Sequence, residues 1–485
     1  MTPLSVIITI AAYFAILFTV SYIAGRKADN AGFFVGNRKS SWYVVAFAMV
    51  GSAISGVTYV SVPGMVAASS FGYLQMVLGF IAGQLIIAYL LVPLFYKMNL
   101  VSIYEYLENR FGMSSYRTGA WFFFISKMLG AAVRLFLVCL TLQLLVFEPF
   151  GLPFLLNVAI TVLALVWLYT FQGGVKSLIW TDSLKTFCLV VSVVLCIWYI
   201  ASDLNLSFTG MVSTIADSDM SRIFFFDDVN SKQYFFKQFL AGAFTMIAMT
   251  GLDQDMMQRN LSCKNFKDSQ KNMITSVISQ FFVILLFLML GVLLYIFAAN
   301  QQIAVEKSDE LFPLIATGNY FPAIVGILFI IGLISSAYSA AGSALTALTT
   351  SFTVDILGTK GKSEETVVKM RKKVHIGMAV VMGITIFVFN LLNNTSVIDA
   401  VYILASYTYG PILGLFAFGI FMKQQVRDKY IPLVAIASPV LCFILQKNSE
   451  AWFGGYQFSY ELLIFNALFT FIGLCLLIRK DKKNN

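Results

Sequence analysis

Charge is what this sequence has least of. Of its 485 residues only 12% are Asp, Glu, Lys or Arg, one is histidine and six are cysteine. A soluble globular domain carries about 25% charged and about 45–50% apolar residues. Here the apolar share is 59% and the mean hydropathy +0.82, which excludes a soluble protein of ordinary make-up. The one histidine, His375, follows the basic run Arg371-Lys372-Lys373 and reads as a membrane-interface residue rather than a proton shuttle. Cys139, Cys188, Cys196, Cys442 and Cys475 lie in apolar runs and Cys263 between two, so neither a disulfide framework nor a metal-ligand spacing is indicated. Clusters of His, Cys and carboxylates at catalytic spacing are missing as well, so the chain is not read as an enzyme. Polar stretches longer than about 35 residues are also lacking, which argues against a solute sensor with a soluble domain.

What the sequence has instead is apolar length. A hydrocarbon core of about 30 Å needs about 20 apolar residues per helix. Such stretches lie roughly at 5–25, 43–68, 73–96, 119–146, 155–171, 176–201, 236–257, 272–299, 322–350, 374–393, 397–421, 430–446 and 460–478, here segments 1 to 13. The ten-residue alternation of a membrane barrel does not occur. The expected fold class is therefore an all-α polytopic membrane protein with about 13 transmembrane helices. The N-terminal run is kept as segment 1, because it lacks a basic start, is too long for a signal peptide, and is followed by its basic pair.

Lys and Arg accumulate on the cytoplasmic side of membrane proteins. The loops on one side, with the tail after 478, hold 24 of them, while those on the other side hold four: Arg222, Lys232, Lys307 and Lys447. The expected orientation has the N-terminus outside and the C-terminus in the cytoplasm. The net charge of +9 is then topology, scattered over short loops, and no nucleic-acid partner is expected.

Segment 2 carries GSAISG at its centre, and segment 7 carries Gly242 and Gly251 bracketing Thr245 and Thr250. Five segments separate the two starts, so they run in opposite directions. That is the signature of a five-plus-five inverted repeat with discontinuous helices, the best sequence pointer to a midplane site in a secondary transporter. The chain divides accordingly into 1–42 (first helix and basic loop), 43–202 (segments 2–6), 203–235 (a loop), 236–422 (segments 7–11) and 423–485 (two further helices and a basic tail). Unwound backbone is tolerated at membrane depth where it is buried or lines a cavity, and it frees carbonyl oxygens for a small cation. The competing reading gives Gly51, Ser52, Ser55 and Gly56 to close helix packing. Ser336, Ser339, Ser343 and Thr346 stand at spacings of 3, 4 and 3, one hydroxyl-lined face of segment 9. Ordinary small-residue packing with back-bonded hydroxyls is the alternative there.

Five motifs, in order and at matching depth, resemble the sodium/solute symporter family, with its LeuT-type fold. They are FFVGNR (Phe33 to Arg38), SIYEYLENRFG (Ser102 to Gly112), GGVKSLIWTD (Gly173 to Asp182), GLDQDMMQR (Gly251 to Arg259) and YGPILGLFAFGIF (Tyr409 to Phe421). The resemblance implies Na⁺-driven import of a small organic solute by alternating access. It also implies a bacterial inner membrane. Carried over by position, the carbonyls of Gly51 and Ile54 face Ser336 and Ser339 in the main sodium site. Asp182, with Ser339 and Ser343, matches a second site found in some members, and capping of segment 6 is its alternative. The sequence departs from the family at Ser339-Ala340, where two consecutive hydroxyls are usual, and at Gly342, where some bacterial relatives carry an acid. Proton-coupled or ion-independent transport on the same fold is therefore the alternative function.

A charge near a helix centre costs about 2.5–3.5 kcal/mol on insertion scales, so each asks for a partner or a task. Segment 4 carries Lys127 and Arg134, seven residues apart and so near one face. Arg134 lies about a turn from a position where some family members hold a substrate carboxylate, and its planar fork suits an acid. A structural ion pair with Asp182, Asp253 or Asp255 is the reading slightly preferred. Asp253, Asp255 and Arg259 are read with Lys127 as an inner gate or ion-pair cluster, and Asp399 as a counterpart near the other end of segment 11. Thr58, Ser61 and Thr245 on the broken helices, Gln75 and Phe80 on segment 3, and Tyr407 on segment 11 are nominated for the solute cavity. Phe80 replaces a polar residue of some relatives and implies a less polar wall. The partners expected are a small solute, Na⁺ and the lipid bilayer; solute identity and oligomeric state stay open.

Overall fold

The computed structural model describes residues 3–25, 41–98, 103–162, 175–260, 263–357, 363–392 and 396–479. Their regular structure is helical apart from one isolated bridge, Val426 to Ile478. That follows from the solvent: in lipid every backbone group needs a partner inside its own segment, and a helix supplies one. Among the described residues seven helices are long and apolar enough to cross a membrane, or nine if each of two bent pairs is one span. Pro3–Ile16 and Leu462–Leu476 are shorter apolar helices. Thirteen crossings stay an expectation of the sequence.

Segment 2 is discontinuous. Helix Trp42–Ala53 stops, Ile54 and Ser55 are extended, and helix Gly56–Gly64 continues after a bend of 53°. The second half is wholly buried, and Tyr59 anchors it. The Tyr59 ring stands 5.1 Å from Phe312 and 5.2 Å from Phe329, and its hydroxyl bonds Ser192 of segment 6. Segment 11 breaks too, as Val397–Thr408 and Gly410–Phe421 meeting at 47°. Pro411 has no N–H for the Tyr407 carbonyl. Asn466 of segment 13 supplies the donor, giving its amide to the Ser406 and Tyr407 carbonyls at 2.9 Å each. Gly410 leaves room for it, since a Cβ there would stand 2.3 Å from Asn466 Cγ.

Segment 7 corrects an expectation. Gly242 lies inside the unbroken helix Phe235–Met246, and the disruption comes later, as a π-turn over Ile247–Gly251 and a kink at Leu252. Gly242 serves packing. A Cβ on it would stand 2.1 Å from the Met76 carbonyl oxygen, and Cβ atoms on Gly79 and Gly83 would stand 2.1 Å and 2.3 Å from the carbonyls of Phe239 and Ala243. Lipid gives helices no hydrophobic drive to associate, so small residues that let backbones touch hold segments 3 and 7 together.

Segment 4 begins at Met113 under a carboxylate from a distant loop. Asp428 accepts from Ser114 N–H at 2.8 Å, Ser115 N–H at 2.9 Å and the Ser115 hydroxyl at 2.5 Å. Burial pushes the Asp428 pKa up, but these hydrogen bonds outweigh it and hold the carboxyl below its ordinary range.

Candidate functional site

The break in segment 2 diverts the donors of two carbonyls. In a continuous helix Ser55 N–H would reach Gly51 O, and Thr58 N–H would reach Ile54 O. Here Ser55 N–H turns to Ala53 O at 3.2 Å, and Thr58 N–H meets the Ser55 hydroxyl oxygen, an N-cap, at 3.4 Å. Gly51 and Ile54 are the two residues nominated for the ion. Segment 9 lies against the gap: a Cβ on Gly56 would stand 2.8 Å from Ser336 Oγ. The Ser336 hydroxyl itself donates back to Leu333 O at 2.8 Å. The side chains of Asp182, Ser339 and Ser343 lie outside the described residues.

A cavity of about 160 Å³ opens beside the break. Of the nominated residues, Thr58, Phe80, Arg134 and Thr245 line it, together with Lys127, Asp253, Asp255 and Arg259. Ser55, Ser126, Gln280, Ala340, Tyr402 and Tyr409 line it as well and were not nominated for it. Phe80 and Tyr402 form one wall, with rings 6.5 Å apart. The Tyr402 hydroxyl bonds that of Tyr73 at 2.7 Å, closing this end of the cavity.

At the pole that carries the basic loops the charges find one another. Lys127 Nζ donates to both carboxylate oxygens of Asp253, at 3.2 and 3.1 Å, and to Asp255 at 3.4 Å. Arg259 Nε stands 3.6 Å from Asp255. Asp253 also accepts from Tyr409 O–H at 3.0 Å and from Met256 N–H at 3.1 Å, capping helix Gln254–Asn260. Segments 4, 7 and 11 are thus tied at one buried carboxylate. The preferred ion-pair reading of Arg134 is corrected: Lys127 takes Asp253 and Asp255, and among the described residues no carboxylate stands within ion-pair distance of Arg134. Its half-buried guanidinium lines the cavity near Tyr402 and Tyr409.

Three nominated residues are elsewhere. Gln75 faces a loop, donating to Gly72 O at 3.3 Å and Gln233 O at 2.9 Å and accepting from Phe225 N–H at 3.1 Å. Tyr407 gives its hydroxyl to Gln446 of segment 12. Ser61 is fully buried against the turn Ser308–Glu310 rather than in the cavity. A polar side chain in a span announces a buried contact, not its direction. Asp399, at the basic-poor pole, accepts from Ser396 Oγ at 2.8 Å and from the Tyr460 hydroxyl, tying segment 11 to segment 13.

The profile of the sodium:solute symporter family matches residues 33–428. The sodium/sialic acid symporter NanT of Aliivibrio fischeri is 25% identical over 447 residues, 90% of this chain and 86% of that one. The human sodium/iodide cotransporter is 24% identical over 419 residues, and this chain spans 63% of its length. A solved structure of the substrate-bound outward-open state of a Na⁺-coupled sialic acid symporter matches in fold with a TM-score of 0.80, covering 97% of each chain at 20% identity.

Proposed function

The chain belongs to the sodium:solute symporter family, and from that premise we propose which solute class it carries and which residues hold ion and solute. It is an integral membrane transporter that couples a small solute to Na⁺, and it is not an enzyme. The solute we infer is an organic anion carrying a carboxylate, of which a sialic acid is the first example to test. One observation carries this: Arg134 presents a cation to the cavity with no carboxylate of the chain beside it. A guanidinium in a low-dielectric cavity is stabilised by an anion, and its fork fits a carboxylate in two parallel hydrogen bonds. Thr58, Thr245 and Tyr402 offer the remaining polar contacts, and Phe80 an apolar wall.

Sodium is assigned to the gap of segment 2, held by the carbonyls of Gly51 and Ile54 with Ser339 facing them. The diverted donors of those carbonyls support it. Ser336 is a weaker ligand, because its hydroxyl is engaged with Leu333 O. Asp182 with Ser343 is the proposed second site. The basic loops are assigned to the cytoplasm and the membrane to a bacterial inner membrane. The Lys127–Asp253–Tyr409 junction is then an inner gate that breaks as the cavity opens inward, and the contacts of Asp399 belong to the outer side. Each Na⁺ entering down the membrane potential contributes roughly 2.3 kcal/mol per 100 mV.

Thermal unfolding of the purified protein in NaCl, KCl and choline chloride, with and without sialic acid, tests both assignments. Expected is a saturable, Na⁺-selective stabilisation that Ser339→Ala weakens far more than Ser336→Ala. A further Na⁺-dependent stabilisation by sialic acid should be lost in Arg134→Gln. Equal small effects of the two serine variants would sink the ion site, and solute binding that survives Arg134→Gln would sink the carboxylate reading.

A further inference from the structure

The turn Ser308–Glu310, between segments 8 and 9, holds a carboxyl that the transport cycle above does not use. Asp309 is 6% exposed, and its Oδ2 accepts from Val397 N–H at 3.0 Å, at the start of segment 11. Its Oδ1 has no hydrogen-bond partner among the described residues. Neither has the Oγ of Ser61, which is fully buried in segment 2. The two groups face each other closely enough for the hydroxyl to act on the carboxyl. The seat is tight. A Cβ on Gly64 would stand 2.3 Å from the Ser308 carbonyl oxygen, and Tyr295 of segment 8 donates to Gly64 O at 2.5 Å. So close a fit favours the smallest cation, a proton.

The surroundings call for one. Asp309 faces Asp399 from segment 11, Glu310 from its own turn and Tyr295 from segment 8, while Lys307 on the turn is exposed to solvent. Asp399 has its own donors in Ser396 and Tyr460, so of the two facing carboxyls Asp309 is the one with an unserved oxygen. We propose that Asp309, with Ser61 facing it, is a proton-binding site that fastens this turn over the basic-poor end of segment 2. A proton on Oδ1 aims an O–H at Ser61 Oγ and removes a charge that burial and two neighbouring carboxylates oppose. Burial raises the Asp309 pKa, ahead of the lowering by Val397 N–H. When the turn lifts, the carboxyl meets water and returns toward its ordinary value. By linkage the fastened state therefore gains as pH falls through the raised pKa and loses as pH rises above it. This rests on the orientation proposed above, which makes the proton an external one: acid outside holds the outer pole shut.

Hydrogen exchange of the full-length protein, followed by mass spectrometry in NaCl between pH 5 and pH 8 and corrected for intrinsic rates, tests the site without a solute. Peptides covering 303–317 and 396–402 should gain protection several-fold toward low pH, bounded at about tenfold per unit by which closure raises the pKa. Asp309→Asn should flatten that response. Asp399→Asn, by removing a like charge, should move its midpoint to lower pH, and it serves should Asp309→Asn fail to fold. A wild type without the response, or variants that keep it at the same midpoint, would overturn the proposal. Orientation is read separately: Lys307→Cys should react with a membrane-impermeant maleimide on intact cells. Labelling only after lysis would reverse the orientation and leave the proton site standing.

Discussion

Segments 2 and 7 both carry paired glycines near their middles, and only segment 2 opens there. In segment 2 the opening leaves Gly51 and Ile54 O without their ladder donors, and no charged side chain is brought to the gap. In segment 7 the mid-helix glycine is pressed onto segment 3, and the kink at Leu252 is served by side chains: Asp253 caps the next helix and binds Lys127 and Tyr409. The first is a joint that a cation can complete. The second is already complete. Perturbing the second should therefore change stability alike in Na⁺ and K⁺, while perturbing the first should change the difference between the two salts.

The largest effect belongs to the completed joint. Lys127→Met leaves Asp253 and Asp255 buried without their shared base, with side chains 4% and 20% exposed. Breaking a buried pair from one side costs about 3–5 kcal/mol. Thermal unfolding in KCl and NaCl should fall by the same amount, and Asp253→Asn in the Lys127→Met background should recover most of it. A loss of about 1 kcal/mol or less, the worth of an exposed pair, would mean that this end of segment 7 is merely solvated.

The glycines come next. Gly242→Ala drives a methyl into the Met76 backbone, which cannot rotate away, and should cost about 3 kcal/mol. Gly56→Ala meets the side chains of Ser336 and Leu333, which can give, so its cost should be nearer 1 kcal/mol. It should nonetheless weaken the Na⁺-selective part of the stabilisation, because Ser336 must move at the gap. If Gly242→Ala were the variant that altered Na⁺ selectivity, the contrast between the two helices would fail.

How much of this the sequence revealed depended on whether the cause was local. The stop in segment 2 was readable because Ser55 stands three residues before Thr58, N-cap chemistry inside an apolar run. Gly242 was misread because a glycine signals close approach and a break equally well. What decides between them is its partner, the Gly79-xxx-Gly83 spacing in segment 3, which was in the sequence but unused. The break in segment 11 was likewise announced by Gly410-Pro411, but what makes it tolerable, Asn466, comes from more than fifty residues away. Lys127 and Arg134 share a face, and which of them meets Asp253 is a matter of depth that spacing does not fix. Gln75, Ser61 and Tyr407 show the same limit: a polar atom in a span has a partner, and only packing says where.

A smaller effect sharpens the segment 2 side. Ser55→Ala removes the cap on Thr58 N–H and should cost about 1 kcal/mol. It should also do what Lys127→Met does not. The released Thr58 N–H can return to Ile54 O and compete with sodium for it, so half-saturation in a NaCl titration should rise several-fold. An unchanged sodium requirement would mean that Ile54 O is not a ligand.

The smallest effect sets a capped helix start far from the cavity beside the one within it. Asp428 caps segment 4 in trans, as Ser55 caps the second half of segment 2. Its folded pKa lies below the ordinary carboxyl value, so its contribution is present above the unfolded pKa of about 3.9 and is lost as pH falls through the folded one. The carboxyl is largely solvent-screened, so the loss is small. Asp428→Asn should remove it, leaving a variant slightly less stable than wild type at neutral pH and equal to it below about pH 4. Unlike Ser55→Ala, it should leave the NaCl titration untouched, because no carbonyl that sodium needs depends on this cap. A shift in sodium requirement from Asp428→Asn would mean that helix starts are coupled across the molecule, and the gap in segment 2 would lose its claim to be the one place where a missing backbone donor and the coupling ion meet.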